Sequence, residues 1–219
     1  MPKPGRLPLW ALPVVLSAAA VSVPAAELLV EAEGFTEHGG WVLDPQYISQ
    51  MGSSYLLAHG LGVPVANAST EVEIPEGGAY RLWVRTKDWV PSHHPGRFQV
   101  MLNGAAIAKE FGTEGQDWVW QDGGNLELAK GKLKLELKDL TGFEGRCDAL
   151  YFTTDAQFVP PAKPDEAMAA WRRKLLALPA EPPSAGEFDC VVVGGGVAGC
   201  AAALAAAIVA NTPAAPPAS

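Results

Sequence analysis

The chain has 219 residues, is 48% hydrophobic and carries a formal net charge of −8. An acidic balance of this size argues against nucleic acid or an anionic membrane as partner. The length suffices for one full domain and part of another. Three cysteines, Cys147, Cys190 and Cys200, form no framework spacing and read as small buried hydrophobes.

In chain order, residues 1–25 read as a signal peptide. Lys3 and Arg6 form a basic start, Leu7 to Val21 an apolar stretch, and Val23-Pro24-Ala25 a small-residue cleavage site. Export to the periplasm or exterior is the expectation. An uncleaved membrane anchor is the alternative, although the apolar stretch is short for a span.

Residues 26–155 read as all β. Leu28 to Glu33 opens the set, and Thr70-Glu71-Val72-Glu73-Ile74 alternates before the Pro75-Glu76-Gly77-Gly78 turn into Tyr80 to Arg85. Phe98, Val100 and Leu102 share a face, and Asn103-Gly104 marks a hairpin. Lys132-Leu133-Lys134-Leu135-Glu136-Leu137-Lys138 places leucines on one face and charges on the other, and Cys147 to Thr153 closes the set. Seven or eight short strands over this length predict an antiparallel β-sandwich of jelly-roll type with its own core.

Residues 156–187 form a linker containing a helix over 164–178. Pro164, Asp165 and Glu166 suit its first turn, and Arg172, Arg173 and Lys174 its end. Met168, Trp171, Leu175 and Leu178 make one stripe, expected to pack against a neighbouring domain. Pro182 to Gly186 then leads into Phe188-Asp189-Cys190-Val191-Val192-Val193, read as a strand, and a glycine cluster.

Gly194, Gly196 and Gly199 have the spacing G-x-G-x-x-G. The first would permit a tight strand-to-helix turn, the second close approach of a pyrophosphate, and the third close packing of helix on strand. Residues 188–210 therefore read as the first strand and helix of a Rossmann-type dinucleotide domain. The competing reading is a membrane segment, since Cys190 to Ala210 is uncharged and of spanning length. Three adjacent glycines, Asp189, and the absence of Lys or Arg afterwards oppose it. Residues 211–219 are a low-complexity tail. The second strand with its ribose-binding acid, about 20 residues on, does not follow, so the expectation is a truncated or frame-shifted copy of such a domain.

Leu29-Val30-Glu31-Ala32-Glu33-Gly34-Phe35, the strand from Tyr80 to Arg85, and Cys147-Asp148-Ala149-Leu150-Tyr151-Phe152 resemble the galactose-binding-like sandwich of calcium-containing carbohydrate-binding modules. The resemblance implies a structural calcium held by Glu31, Glu33 and Asp148, a ligand set that suits a cation demanding several oxygens. Solvent-facing glutamates on an edge strand are the alternative. It also implies a glycan partner, for which Trp41, Trp89, Trp118 and Trp120 are candidate stacking platforms. Core packing is the alternative for a tryptophan on a strand. Trp89 stands beside the loop Val90-Pro91-Ser92-His93-His94-Pro95-Gly96, and His93-His94 reads as solvated rather than as a metal pair.

Together with residues 51–62, residues 139–148 and the glycine cluster, the chain resembles secreted bacterial FAD-dependent oxidoreductases in which such a sandwich precedes the FAD domain. That resemblance implies FAD as the parent cofactor, bound through Gly194, Gly196 and Gly199. It implies no catalytic residue in this chain and no flavin chemistry by this chain alone. A stand-alone carbohydrate-binding module is the alternative.

Overall fold

The computed structural model describes residues 25–211. They fall into two compact units that divide after Leu178. The signal-peptide reading, apart from Ala25, and nearly all of the tail lie outside the described residues.

The first unit is a sandwich of ten strands. β1 (Glu27–Glu31), β2 (Val42–Asp44), β3 (Tyr55–His59), β5 (Gly78–Thr86), β8 (Val119–Leu128) and β10 (Phe143–Thr153) form a six-stranded antiparallel sheet. Its order is β2-β3-β10-β5-β8, with β1 also pairing β10. β4 (Ala68–Ile74), β6 (Phe98–Leu102), β7 (Ala105–Phe111) and β9 (Gly131–Asp139) form the facing sheet, in the order β4-β9-β6-β7. The period-2 reading of β9 holds: Leu133, Leu135 and Leu137 are buried while Lys132 and Lys134 lie opposite Glu73 and Glu71 of β4. Such cross-strand pairs of opposite charge add register specificity to the apolar pattern.

Leu82, Val84, Phe98, Val100, Phe111, Leu135, Leu150 and Phe152 fill the space between the sheets. β10 pairs on both sides, and from Gly145 to Thr153 every residue is buried. Its outer face explains that burial. Leu29, Trp83, Trp120, Ala149 and Tyr151 make a second apolar cluster there, covered by Phe158, Trp171, Leu175 and Leu176.

The covering element is α2 (Glu166–Leu175), shorter than the predicted helix at both ends. Asp165 is its N-cap, its carboxylate accepting from the Met168 N–H at 3.1 Å. The stripe docks on the sandwich itself, not on a further domain. Leu176 takes the place predicted for Leu178, which is exposed. The sandwich unit thus runs through the linker helix.

Four strands were not named in the sequence reading, β2, β3, β7 and β8, although the hairpin at Asn103-Gly104 implied β7. β3 is five residues running into Gly60, and β2 is three residues, too short for alternation to register. The one-turn helix α1 (Ile48–Met51) lies between them and ends on Gly52 in the left-handed region, φ 85°.

In the second unit, α3 (Val197–Asn211) follows the glycine cluster as predicted. The strand expected over Phe188–Val193 is not formed: this stretch pairs with no strand among the described residues. An isolated apolar run has no ladder to satisfy its backbone, and Val191 and Val193 are exposed. The parallel sheet of a Rossmann domain is therefore absent from the described residues. None of the described helices is long and apolar enough to cross a membrane.

Candidate functional site

The carboxylates singled out by sequence converge. Glu31 ends β1, Glu33 sits in the 3-10 turn Ala32–Gly34, and Asp148 lies on β10, with one ligand oxygen from each within 4.8 Å of the others. The backbone arranges this in two ways. The tight turn after Glu31 brings Glu33 back to the side of its neighbour. A register shift between Cys147 and Ala149 in the pairing with β5 inserts Asp148 as an extra residue, re-aiming its side chain.

Two guanidinium groups enter the cluster. Arg85 of β5 is buried, with Nη1 3.4 Å from Asp148 Oδ2. Arg172 of α2 makes a fork to Glu31, Nε to Oε1 at 3.0 Å and Nη2 to Oε2 at 2.5 Å. It also donates to the Met51 carbonyl and to Ser53 Oγ (3.1 Å), and its Nη1 is 3.7 Å from Asp148 Oδ2. A planar bidentate pair of this kind is the strongest arrangement a carboxylate can make with a cationic side chain.

Burial pushes the Asp148 carboxyl up to about 8, against the pull of Arg172 and Arg85. Burial likewise raises Glu33 and lowers Arg85, in the latter case against the attraction of Asp148. For Arg172 burial acts downward, but Asp148 and Glu31 prevail and raise it. Glu33 Oε2 and Asp148 Oδ1 are buried without a hydrogen-bond partner among the described residues. Unused buried carboxylate oxygens, beside the Met51 carbonyl and Ser53 hydroxyl, are the donor set of a hard cation. The residues fit calcium chemically, and a side-chain cation already draws on most of the same oxygens. A cavity of about 440 Å³ opens beside them, lined by Glu31, Glu33, Met51, Ser53, Met168 and Arg172.

Of the four tryptophans proposed as stacking platforms, three are buried. Trp41 is 3% exposed and packs edge-on against Phe98 in the main core. Trp118 is buried against Tyr55 and Tyr47. Trp120 is enclosed by Tyr151 and Trp171, its Nε1 donating to the Pro161 carbonyl at 3.0 Å. Of these three only Trp120 lies on a strand, β8, while Trp41 and Trp118 stand just before β2 and β8; alternation cannot tell a bare face from one that a later helix covers.

Trp89 is different. It is half-buried in the loop after β5, with Nε1 donating to the Phe143 carbonyl at 3.2 Å and the Arg146 guanidinium 5.4 Å from its ring centre. Arg146 pairs with Glu144 at 3.1 Å, and Glu144 pairs with His59 at 3.2 Å. His94 is not simply solvated: its Nδ1 lies 2.5 Å from Asp88 Oδ2, while His93 bonds Ser92. Leu61, His94 and Glu144 all have positive φ without being glycine (52°, 46° and 61°). Leu61 and His94 lie in loops and Glu144 near the start of β10, and a positive φ at a non-glycine residue is a costly backbone shape.

In the second unit, Gly194 has φ 102°, and a Cβ on Gly199 would lie 1.9 Å from the Gly194 carbonyl oxygen. The Cys200 N–H donates to the Gly196 carbonyl at 2.9 Å. Gly194 and Gly199 are thus required by backbone geometry. Gly196 has open space around its Cβ position.

Sequence reading missed Arg172, Arg85 and Arg146 as members of these sites. Arg172 was legible only as a basic residue suited to a helix end, and its partner Glu31 lies 141 positions away.

No family model matches the chain, and no curated protein matches it. Among solved structures the chain is similar to the GH26-CBM35 β-(1,4)-mannanase of Podospora anserina, at 19% identity and a TM-score of 0.49, over 62% of this chain and 29% of that one. It is also similar to a family 35 carbohydrate-binding module of Clostridium thermocellum, at 17% identity and TM-score 0.48, over 57% of this chain and 96% of that one. A third is the C-terminal CBM6 of the laminarinase LamC of Zobellia galactanivorans, at 18% identity and TM-score 0.45, over 58% and 99%.

Proposed function

We propose that the sandwich is a carbohydrate-binding module of an exported protein, binding its glycan at the loop end around Trp89. The observation that carries this reading is the half-exposed Trp89 ring set beside His59, Glu144, Arg146 and His94. A pyranose needs one aromatic face for its C–H groups and nearby polar groups for its hydroxyls. Exposed Leu61, Val63 and Phe143 extend the apolar rim. Titration of the full chain with a panel of neutral and acidic oligosaccharides, followed by tryptophan fluorescence, tests it. One of them should bind, and Trp89→Ala should weaken that binding about tenfold or more, as loss of a central aromatic anchor does. Binding unaffected by Trp89→Ala, or no binding across the panel, would contradict the assignment.

Within the same proposal Glu31, Glu33 and Asp148 hold a structural calcium. Bound there, the ion would cross-link β1, the 3-10 turn and β10 and add to stability by mass action.

The turn from Gly194 to Gly199 supports a second reading, that this module heads an FAD-dependent oxidoreductase whose cofactor domain begins at residue 188. A positive φ at the first glycine and a carbonyl in van der Waals conflict with any Cβ at the third are what a pyrophosphate-binding turn demands. When bound, FAD would supply the redox chemistry; this chain would contribute the backbone N–H groups at the start of α3.

A further inference from the structure

We propose that Arg172 is the resident cation of the carboxylate cluster, and that a divalent metal ion and the docked helix α2 are alternative occupants of it. This rests on the calcium reading above and goes beyond it, because it makes the linker helix the determinant of whether the metal enters.

Three observations carry the inference. The first is shared donors. Arg172 engages both oxygens of Glu31, the Met51 carbonyl and Ser53 Oγ, the oxygens a calcium ion would need along with Glu33 and Asp148. Calcium requires six to eight oxygens, so it cannot take a full set while the guanidinium holds these. The second is charge. Glu31, Glu33 and Asp148 face Arg85 and Arg172, so the ionised cluster keeps one negative charge. A divalent ion added beside Arg172 would overcompensate that charge at close range in a buried site, whereas one that replaced Arg172 would leave the cluster neutral. The third is mechanical. Arg172 lies in the last turn of α2, and its neighbour Trp171 lies against Tyr151 (5.0 Å between ring centres) and Trp120 (5.9 Å). Withdrawing the guanidinium therefore lifts the helix turn that seals the outer face of the six-stranded sheet. Metal entry would uncover Trp83, Trp120 and Tyr151, the face α2 now buries.

The experiment titrates calcium alone into the full chain and into Arg172→Gln and Arg172→Lys, by calorimetry, with circular dichroism to establish that each protein is folded. A tryptic time course with and without calcium reports on α2, whose Arg173 and Lys174 must leave the helix to be cleaved. Arg172→Gln should bind calcium at least tenfold more tightly than the wild type. The lysine variant, which keeps a charge but loses the fork, should fall between. In the wild type, calcium at saturating concentration should accelerate cleavage at Arg173 and Lys174 and shift tryptophan emission. Equal affinity in wild type and Arg172→Gln, or calcium binding to the wild type with α2 still protected, overturns the exclusion and leaves the metal site standing. No binding to any of the folded proteins overturns the metal site and the proposal together. Should Arg172→Gln not fold, the lysine variant and the wild-type proteolysis decide.

Discussion

At the scale of single residues, Asp139 shows how a loop end acquires a fixed shape. It is 3% exposed at the end of β9, and its carboxylate accepts from the backbone N–H groups of Val65 (2.9 Å), Thr141 (3.1 Å) and Gly142 (2.9 Å). The Gly142 carbonyl in turn accepts from Gly60 and Gly62, so one side chain ties the loop before β4 to the loop before β10. Those two loops supply the surroundings of Trp89. Asp139→Ala leaves one buried and two half-buried donors unpaired, and roughly 2–4 kcal/mol of stability should go with them. Urea unfolding should show this as a lower midpoint with an unchanged slope, and a midpoint within error of the wild type would show that the loops hold without it. The stretch from Asp139 to Asp148 was conspicuous in the sequence for packing charge, glycine and an aromatic together. Its role in tying two loops together was not legible there, because Thr141 and Gly142 are near neighbours of Asp139 but Val65 lies 74 positions away.

At the scale of elements, α2 is the part that changes the reading of the domain most. Its ends follow from local chemistry: Asp165 caps the start, and Arg172, Arg173 and Lys174 complement the dipole at the finish. Its partner does not follow from local chemistry. The stripe of Met168, Trp171 and Leu175 would suit any apolar surface, and the surface it finds is the outer face of the sheet it follows in sequence. Removing the ring at Trp171 strips contacts with Trp120, Tyr151 and Phe158 at once. Trp171→Ala should cost about 2–4 kcal/mol, near the range for large-to-small changes at packed sites, and should make α2 sensitive to trypsin before the sandwich unfolds. A fully cooperative loss of both, at the wild-type midpoint, would mean that the ring contributes little to docking. The same burial withdraws Trp120 from any role as a sugar platform while α2 is in place.

At the scale of the whole molecule, the two units differ in what they can bury. The sandwich encloses two layers of side chains and a helix-covered outer cluster, whereas α3 buries none of its residues. A strand-and-helix phrase cannot cover both its apolar faces without neighbouring strands. The protein should therefore purify colourless and leave the fluorescence of added FAD unquenched, although Gly194 and Gly199 have the backbone geometry the cofactor needs. A yellow protein carrying one flavin per chain would refute this and would mean that a second copy completes the sheet.

What the sequence determined by itself is what depends on near neighbours along the chain. The alternation of β9, the turn at Asn103-Gly104, the cap at Asp165, the start of α3 and the glycine requirement at Gly194 and Gly199 each rest on contacts within a few residues. Glu31, Glu33 and Asp148 were named together through a resemblance, and the fold brings them within reach of one another. Tertiary structure alone decided which tryptophans are covered, that α2 closes the sandwich, and that Arg172 fills the carboxylate cluster. Those outcomes depend on pairings across more than 100 residues in the case of Arg172 and Glu31. Exposure and charge neutralisation are properties of what the chain brings alongside a residue, and no local pattern of residue types contains them.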